Sequence, residues 1–513
     1  MSCQSECISL CSVHCIPIPS QPPKSPCPDL LLDNLTPTDL QLHQVRKSIQ
    51  GADAEILRLQ DAIDQLSSQL EALQSILQLR LSSQLEALQS FVERHRGVAS
   101  AVRRLPNEIL CQIFTHSLNT ELPLFNSKNA LSNIIRVCAR WRAVALASPS
   151  LWRHFVFDSV LAYKGNPEYA KLLRQTSLQL QRSRQTLLSV HLIRRIEDEL
   201  LDTLLAVSSR WQSATLLLLD ASDCDHLFTS RAHFTILKKL TLQFESETYN
   251  GDATGFVQSL PALVDFTLHM SFCEYIPRGF ESLWPRLLAC TLEQCCAAHF
   301  LPILPLFSPE TRISIVSCYE DRDGDLAPVQ LAASALSLNA CFEEFIIRFL
   351  KVVAAPRLKK FVVSECDQYR TCSFLPSITT FLSNSSCTLT HLALDVWYAT
   401  LKELLTLLAL PQTRHVCALD MDFLPSPLST PSAAVVDALA THDIVPNLRS
   451  LTLRNCSSVE DAGILALHAS RRPVLQQLFL QKCLDPYGLS QTALQALKSD
   501  GLEVVIFRHL DYW

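Results

Sequence analysis

From about Tyr169 onward one short unit keeps returning, and few folds can use it. Its sharpest copies are Pro446–Cys456 (PNLRSLTLRNC), Pro473–Cys483 (PVLQQLFLQKC) and Pro356–Cys366 (PRLKKFVVSEC). Weaker copies run Pro261–Leu268, Pro285–Cys295, Glu310–Cys318, Leu237–Leu242 and Thr388–Leu394. Earlier copies are Ser213–Leu219 and Leu187–Leu192, and later Thr413–Leu419 and Gly501–Phe507 fit more loosely. Within each copy the apolar residues alternate, which is the period of a strand. Between copies, segments such as Glu197–Val207, Leu401–Leu408, Val459–Ala469 and Leu489–Leu497 read as helices. Most copies return after 24 to 33 residues. One strand plus one helix cannot bury its apolar face alone, so neighbouring units must stack and share a core. The stretch from Cys318 to Pro356 is longer and reads as carrying an insertion around the acidic run Asp321–Asp325.

The unit resembles the leucine-rich repeat of the cysteine-ending kind, L-x-x-L-x-L-x-x-C. The resemblance implies an α/β fold over 169–513, a solenoid with parallel β-strands on its concave face. Alternate strand leucines then point inward, and the residues between them point outward toward a ligand. Many of the 20 cysteines fall at the repeat's end, where a small, weakly polar side chain fits. Neighbouring strands lie about 4.8 Å apart, which brings Cys456 and Cys483 toward disulfide distance. The N-terminus lacks a basic segment followed by an apolar one, so reduced thiols in a cytoplasmic or nuclear protein are expected.

Upstream, Thr38–Val92 carries the longest helical signal. Ile49, Ile56, Leu59, Ile63, Leu66, Leu70, Leu73 and Leu77 step by threes, fours and sevens, a heptad seam. Leu81, Leu85, Leu88 and Val92 continue it after two successive steps of four. The decamer LSSQLEALQS of Leu66–Ser75 returns unchanged at Leu81–Ser90. The copies lie 15 residues apart, one more than two heptads, so the seam slips there and a supercoil locally unwinds. A bare apolar stripe of this length needs a partner, and the expected one is a second copy of the chain, a homodimer through 38–92.

Between the seam and the repeats stands Leu105–Trp152. It opens on Leu105 and Pro106. A short helix follows, with Ile109, Leu110, Ile113 and Phe114 on one face. Proline suits a helix start because it has no N–H to donate. After a linker, Ile134, Ile135, Val137, Cys138, Trp141, Val144 and Ala145 form a second apolar set, and the stretch closes on Leu151 and Trp152. A Leu-Pro pair, a short apolar helix, a Val-Cys-x-x-Trp segment and a closing Leu-Trp resemble the F-box, with the linker after Ser117 longer than in compact members. The resemblance implies a small three-helix domain that docks a Skp-type adaptor through Leu105, Pro106, Ile109, Leu110, Ile113, Phe114, Val137, Trp141, Leu151 and Trp152. Such proteins serve as substrate receptors of Skp–cullin–F-box ubiquitin ligases. Cullin would then join through the adaptor, an unknown target protein would sit on the repeats, and catalysis would belong to other subunits. The rival reading is a coiled-coil and repeat scaffold without ubiquitin chemistry. The order of heptad helix, F-box and repeats also resembles an expanded fungal F-box family.

The expected division is therefore a disordered Pro-, Ser- and Cys-rich tail over 1–37, a long helix over 38–96, the F-box over 99–157 and the repeats over 169–513. Other chemistry finds little support. A net charge of −6 with no broad basic face argues against nucleic acid, and Arg94, His95, Arg96, Arg103 and Arg104 read as a solvated junction. Only 10 glycines are present, with no phosphate-binding fingerprint. No apolar run approaches the roughly 20 residues of a membrane span. Cys3, Cys7, Cys11 and Cys15, beside His14, match no zinc spacing. Asp321, Asp323 and Asp325 begin like a calcium loop, but Ala332 stands where its closing glutamate belongs. Cys295, Cys296 and His299 read as a repeat end, not a metal set. No cofactor, metal or catalytic group is expected.

Overall fold

The computed structural model describes residues 24–32, 36–123, 128–157, 166, 168–194, 196–230, 232–245, 251–271, 276–319, 327–364, 373–423, 432–441, 443–456, 459–481 and 489–507. Cys3, Cys7, Cys11, Cys15, the Asp321–Asp325 run, Cys366 and Cys483 lie outside them. The chain divides into two units, Met1–Leu105 and Pro106–Trp513.

The first unit is dominated by one helix, α1 (Asp39–Ala99), of 61 residues. It starts on a capping box. Thr38 N–H donates to Gln41 Oε1 at 3.0 Å, and Gln41 N–H donates to Thr38 Oγ1 at 3.4 Å, so two otherwise orphaned donors are satisfied. No proline interrupts it. Ser100 is extended and ends it, and a 3-10 turn, Ala101–Arg104, follows. The seam residues stay exposed, Ile63 at 61%, Leu70 at 59% and Leu81 at 66%. Among the described residues no helix is long and apolar enough to cross a membrane.

The second unit opens with three short helices, α2 (Asn107–Ser117), α3 (Ala130–Val137) and α4 (Ala139–Ala147). A parallel sheet follows. Its strands are β1 (His154–Phe157), β2 (Leu188–Leu192), β3 (Trp211–Leu218), β4 (Lys239–Phe244), β5 (Asp265–Met270), β6 (Ala289–Glu293), β7 (Arg312–Val316), β8 (Ala335–Asn339), β9 (Lys360–Ser364), β10 (His391–Asp395), β11 (Ala418–Asp422), β12 (Ser450–Arg454), β13 (Gln477–Gln481) and β14 (Glu503–Phe507). They lie side by side in chain order, as strand–crossover–strand units stacked one way must. Helices such as α5 (Tyr169–Ser183) and Leu401–Leu408 return the chain from one strand to the next. The core lies between sheet and helices. In β12, for example, Leu451 and Leu453 are wholly buried while Ser450, Thr452 and Arg454 face outward.

The corner after each strand is built alike in four repeats. Gln294, Ser317, Ala340 and Asn455 adopt φ of 49 to 55°, and each is followed by a buried cysteine, Cys295, Cys318, Cys341 or Cys456. The left-handed residue turns the chain under the sheet while its N–H still reaches the next strand, as Ser317 does to Asn339 O at 3.0 Å. The thiol then meets backbone carbonyls: Cys318 Sγ lies 3.4 Å from Leu292 O. Burial pushes the Cys341 thiol up to about 12, so it stays protonated.

One repeat escapes the sequence pattern. The stretch read as an insertion between Cys318 and Pro356 contains β8 and a full return helix, Glu343–Val352. Ala333 stands where the unit's first leucine belongs, yet Leu336, Leu338 and Cys341 keep the rest, and all four are buried.

Candidate functional site

The small helical domain is assembled from its capping residues outward. Pro106 is extended (φ −56°, ψ 155°) and its carbonyl accepts Leu110 N–H at 3.1 Å, opening α2. Leu110 and Phe114 lie four residues apart and are buried. Asn129, wholly buried, caps α3. Its Oδ1 accepts Leu131 N–H at 3.0 Å, while its Nδ2 donates to Asn119 O and Leu122 O, both at 3.2 Å. Asn119 and Leu122, after the end of α2, are thereby tied to the start of α3. Cys138 (φ −160°, ψ 169°) breaks the second helical stretch in two, and its Sγ accepts Trp141 N–H at 3.4 Å at the start of α4. Arg140 donates twice to Asn107 Oδ1, at 2.9 and 3.2 Å, binding α4 to the first residue of α2. Trp141 packs on Phe114 with ring centroids 4.9 Å apart.

A 3-10 turn, Pro149–Trp152, drives Leu151 and Trp152 into the interior. Trp152 Nε1–H donates to Ala145 O at 2.9 Å, and the Arg182 guanidinium stacks 4.5 Å from the ring centroid. Gln179 on α5 donates to Trp152 O and His154 O, at 3.2 and 2.6 Å. The helical domain is thus tied by hydrogen bonds and stacking to the first return helix of the solenoid.

The ten residues singled out by sequence fall into three sets, interior, exposed and half-buried. Leu110, Phe114, Leu151 and Trp152 are the interior. Ile109, Ile113 and Val137 stand 40%, 43% and 59% exposed, and Pro106 is exposed beside them in sequence. Trp141 is half-buried. Leu105 is the last residue of the first unit, half-buried, its N–H on Val102 O at 3.3 Å. The apolar spacing showed one face of α2; the structure shows that sequence neighbours on that face divide, Leu110 and Phe114 going to the core and Ile109 and Ile113 to solvent. Asn107, Asn129 and Arg140, which fix the geometry, were missed, although an asparagine just before an apolar run is a capping signal.

A second candidate surface is the outer face of the sheet. In-register pairing aligns its middle row as Thr215, Thr241, Thr267, Thr291, Ser314 and Ser337 on six successive strands. This hydroxyl row is invisible without the register, and in sequence the outward residues look mixed. Side chains bridge it sideways: Asn339 Nδ2 donates to Ser314 Oγ at 3.1 Å and Ser364 Oγ donates to Asn339 Oδ1 at 2.8 Å. Beyond it, small residues such as Ala393, Ala418 and Ser450 leave a hollow of about 350 Å³, rimmed by Lys360, His391, Asp395, Asp420, Asp422 and Arg454. Arg454 pairs with Asp420 at 2.5 Å, and Asn455 Nδ2 donates to Asp422 Oδ1 at 2.6 Å. Burial raises the Asp420 carboxyl above its ordinary value, against the pull of Arg454. Among the described residues no group of three or more His, Cys, Asp or Glu side chains is placed to hold a metal ion.

The family model described as F-box-like matches residues 102–158. No curated protein matches the chain. Among solved structures, the chain is similar to one in the Rad7 and Elc1 complex in yeast, with 12% identity over 83% of this chain and 97% of that one, TM-score 0.29. It is also similar to a Bacteroides fragilis protein, with 12% identity over 66% of this chain and 81% of that one, TM-score 0.24. Residues 102–158 are therefore an F-box-like domain, and a solenoid-like sheet of parallel strands follows it.

Proposed function

We propose that this chain is the substrate-recognition subunit of a Skp–cullin–F-box ubiquitin ligase. The F-box-like domain docks a Skp-type adaptor, the outer strand face holds the target protein, and the catalytic step belongs to other subunits. The chain then acts by proximity, raising the effective concentration of a target lysine near the charged conjugating enzyme. The observation that carries this reading is the exposure of Ile109, Ile113 and Val137 on a domain whose own core is already filled by Leu110, Phe114, Leu151 and Trp152. Apolar side chains left outside a finished core are the substance of interaction sites. The hydroxyl row and the hollow beside it supply many hydrogen-bonding groups at small steric cost, which suits a polar target segment.

Affinity purification of the full chain from cells under proteasome inhibition tests the assignment. Adaptor and cullin are expected with the wild-type chain, and Leu105→Ala with Pro106→Ala reduces both while the solenoid stays folded. Recovery of neither partner with the wild-type chain, or equal recovery with the double variant, contradicts the docking role.

A further inference from the structure

Among the described residues of its own unit nothing covers the exposed seam of α1, and its composition says what fits it. We infer that two copies of this chain pair through α1 as a parallel, in-register, two-stranded coil. Three features of the helix carry this.

The first is the layer chemistry. Ile49, Ile56 and Ile63, followed by Leu70 and Leu77, occupy one seam position and Leu59, Leu66 and Leu73 the other, so the β-branched layers lie in the N-terminal half of the seam. β-Branched residues at the first with leucine at the second select two parallel strands over higher assemblies. The second is charge. In a parallel pair each residue just before the first seam position meets the partner residue five further on. This sets Ser48 against Asp53, Glu55 against Gln60, and Gln69 against Gln74. No like charges meet, and no complementary set calls for a different chain. Glu55 is already engaged by Arg58 of its own helix at 2.6 Å.

The third feature is the slip between Leu77 and Leu85. One extra residue rotates the seam by about 100°. A partner with unbroken heptads would fall out of phase there. An antiparallel copy, centred on residue 69 of the 39–99 helix, would also set the slip against unbroken heptads near residue 57. A parallel copy in register carries the same slip at the same level, so both helices unwind together and the seam stays closed. The available area is adequate. A contact about 65 Å long and roughly 10 Å wide offers about 650 Å² per chain, within the range of one side of a stable interface.

Light scattering on the full chain tests this. The expected mass is twice 57.5 kDa. Ile63→Asp with Leu70→Asp returns it to a single chain without moving the unfolding transition of the solenoid. Orientation is read from Leu88→Cys, oxidised beside the parent chain. A parallel pair raises the yield of covalently linked dimer above the parent's own background, whereas an antiparallel pair places residue 88 against residue 50 and leaves it at background. A single-chain mass at tens of micromolar, an assembly larger than two, a stoichiometric foreign helix, a dimer that survives the double substitution, or no added cross-link overturns the inference. Adaptor recovery per chain is expected to be the same in the double variant. Failure of the coil and failure of adaptor docking are therefore distinguishable.

Discussion

Trp152 shows how one residue serves two layers at once. Its ring is 1% exposed, its N–H is satisfied by Ala145 O, and Arg182 of the solenoid covers its face. Trp152→Ala is expected to lower stability by about 3–5 kcal/mol, measured by denaturant unfolding, so it cannot report on docking alone. Arg471 is the converse case, a charge 1% exposed that forms no ion pair among the described residues. It donates to Leu439 O and Val445 O at 2.8 Å, and to Thr441 O and Ile444 O at 2.6 and 2.5 Å. These carbonyls lie at and just past the end of helix Ser432–Leu439, where its dipole is negative. Arg471→Met strands them and is expected to cost about 3–5 kcal/mol. His154 carries a pH dependence. Burial, with Arg153 and His191 nearby, pushes its pKa down to about 4, and Arg153 Nε–H donates to its Nε2 at 3.0 Å. The unfolded chain takes up this proton near pH 6.5 and the folded chain does not, so the contribution is whole above that pH and is lost as pH falls toward 4. After discounting for solvent screening the loss is about 1–2 kcal/mol. Unfolding midpoints of His154→Gln should therefore fall less steeply between pH 6.5 and 4 than those of the parent.

At the scale of elements, the corner between strand and return segment sets the repeat. Ala340 holds φ of 50°, a conformation that disfavours any residue with a Cβ by about 1–2 kcal/mol. Ala340→Gly relieves that strain but frees the unfolded chain, so a net stabilisation of up to about 1 kcal/mol is expected in denaturant titrations. Leu and Cys positions along the repeat were plain in the sequence because burial enforces them. The left-handed residue before the cysteine was not, since Gln294, Ser317, Ala340 and Asn455 share no side-chain chemistry, only a backbone angle. The break at Cys138 was hidden for a related reason. Apolar spacing runs on through α3 and α4, and only the extended backbone at Cys138 separates them.

Across the whole molecule, a long heptad helix, a small helical domain and a stacked strand–helix array could all be read from periodicity, because each element must bury one face. The β8 repeat could not, because Ala333 erased the first leucine that anchors the unit. Which members of the α2 face are core and which are open also needed the fold: Ile109 and Leu110 are adjacent in sequence, yet one stands 40% exposed and the other is wholly buried. The hydroxyl row across β3–β8 needed the strand register. The account depends most on the open side chains of α2, and a titration of the purified full chain with a purified Skp-type adaptor tests them most directly. Saturable binding by the parent chain is predicted, weakened at least about 100-fold by Ile109→Asp with Ile113→Asp (about 2.7 kcal/mol), with an unchanged unfolding midpoint. Undiminished affinity in the folded double variant, or no binding by the parent, would contradict it.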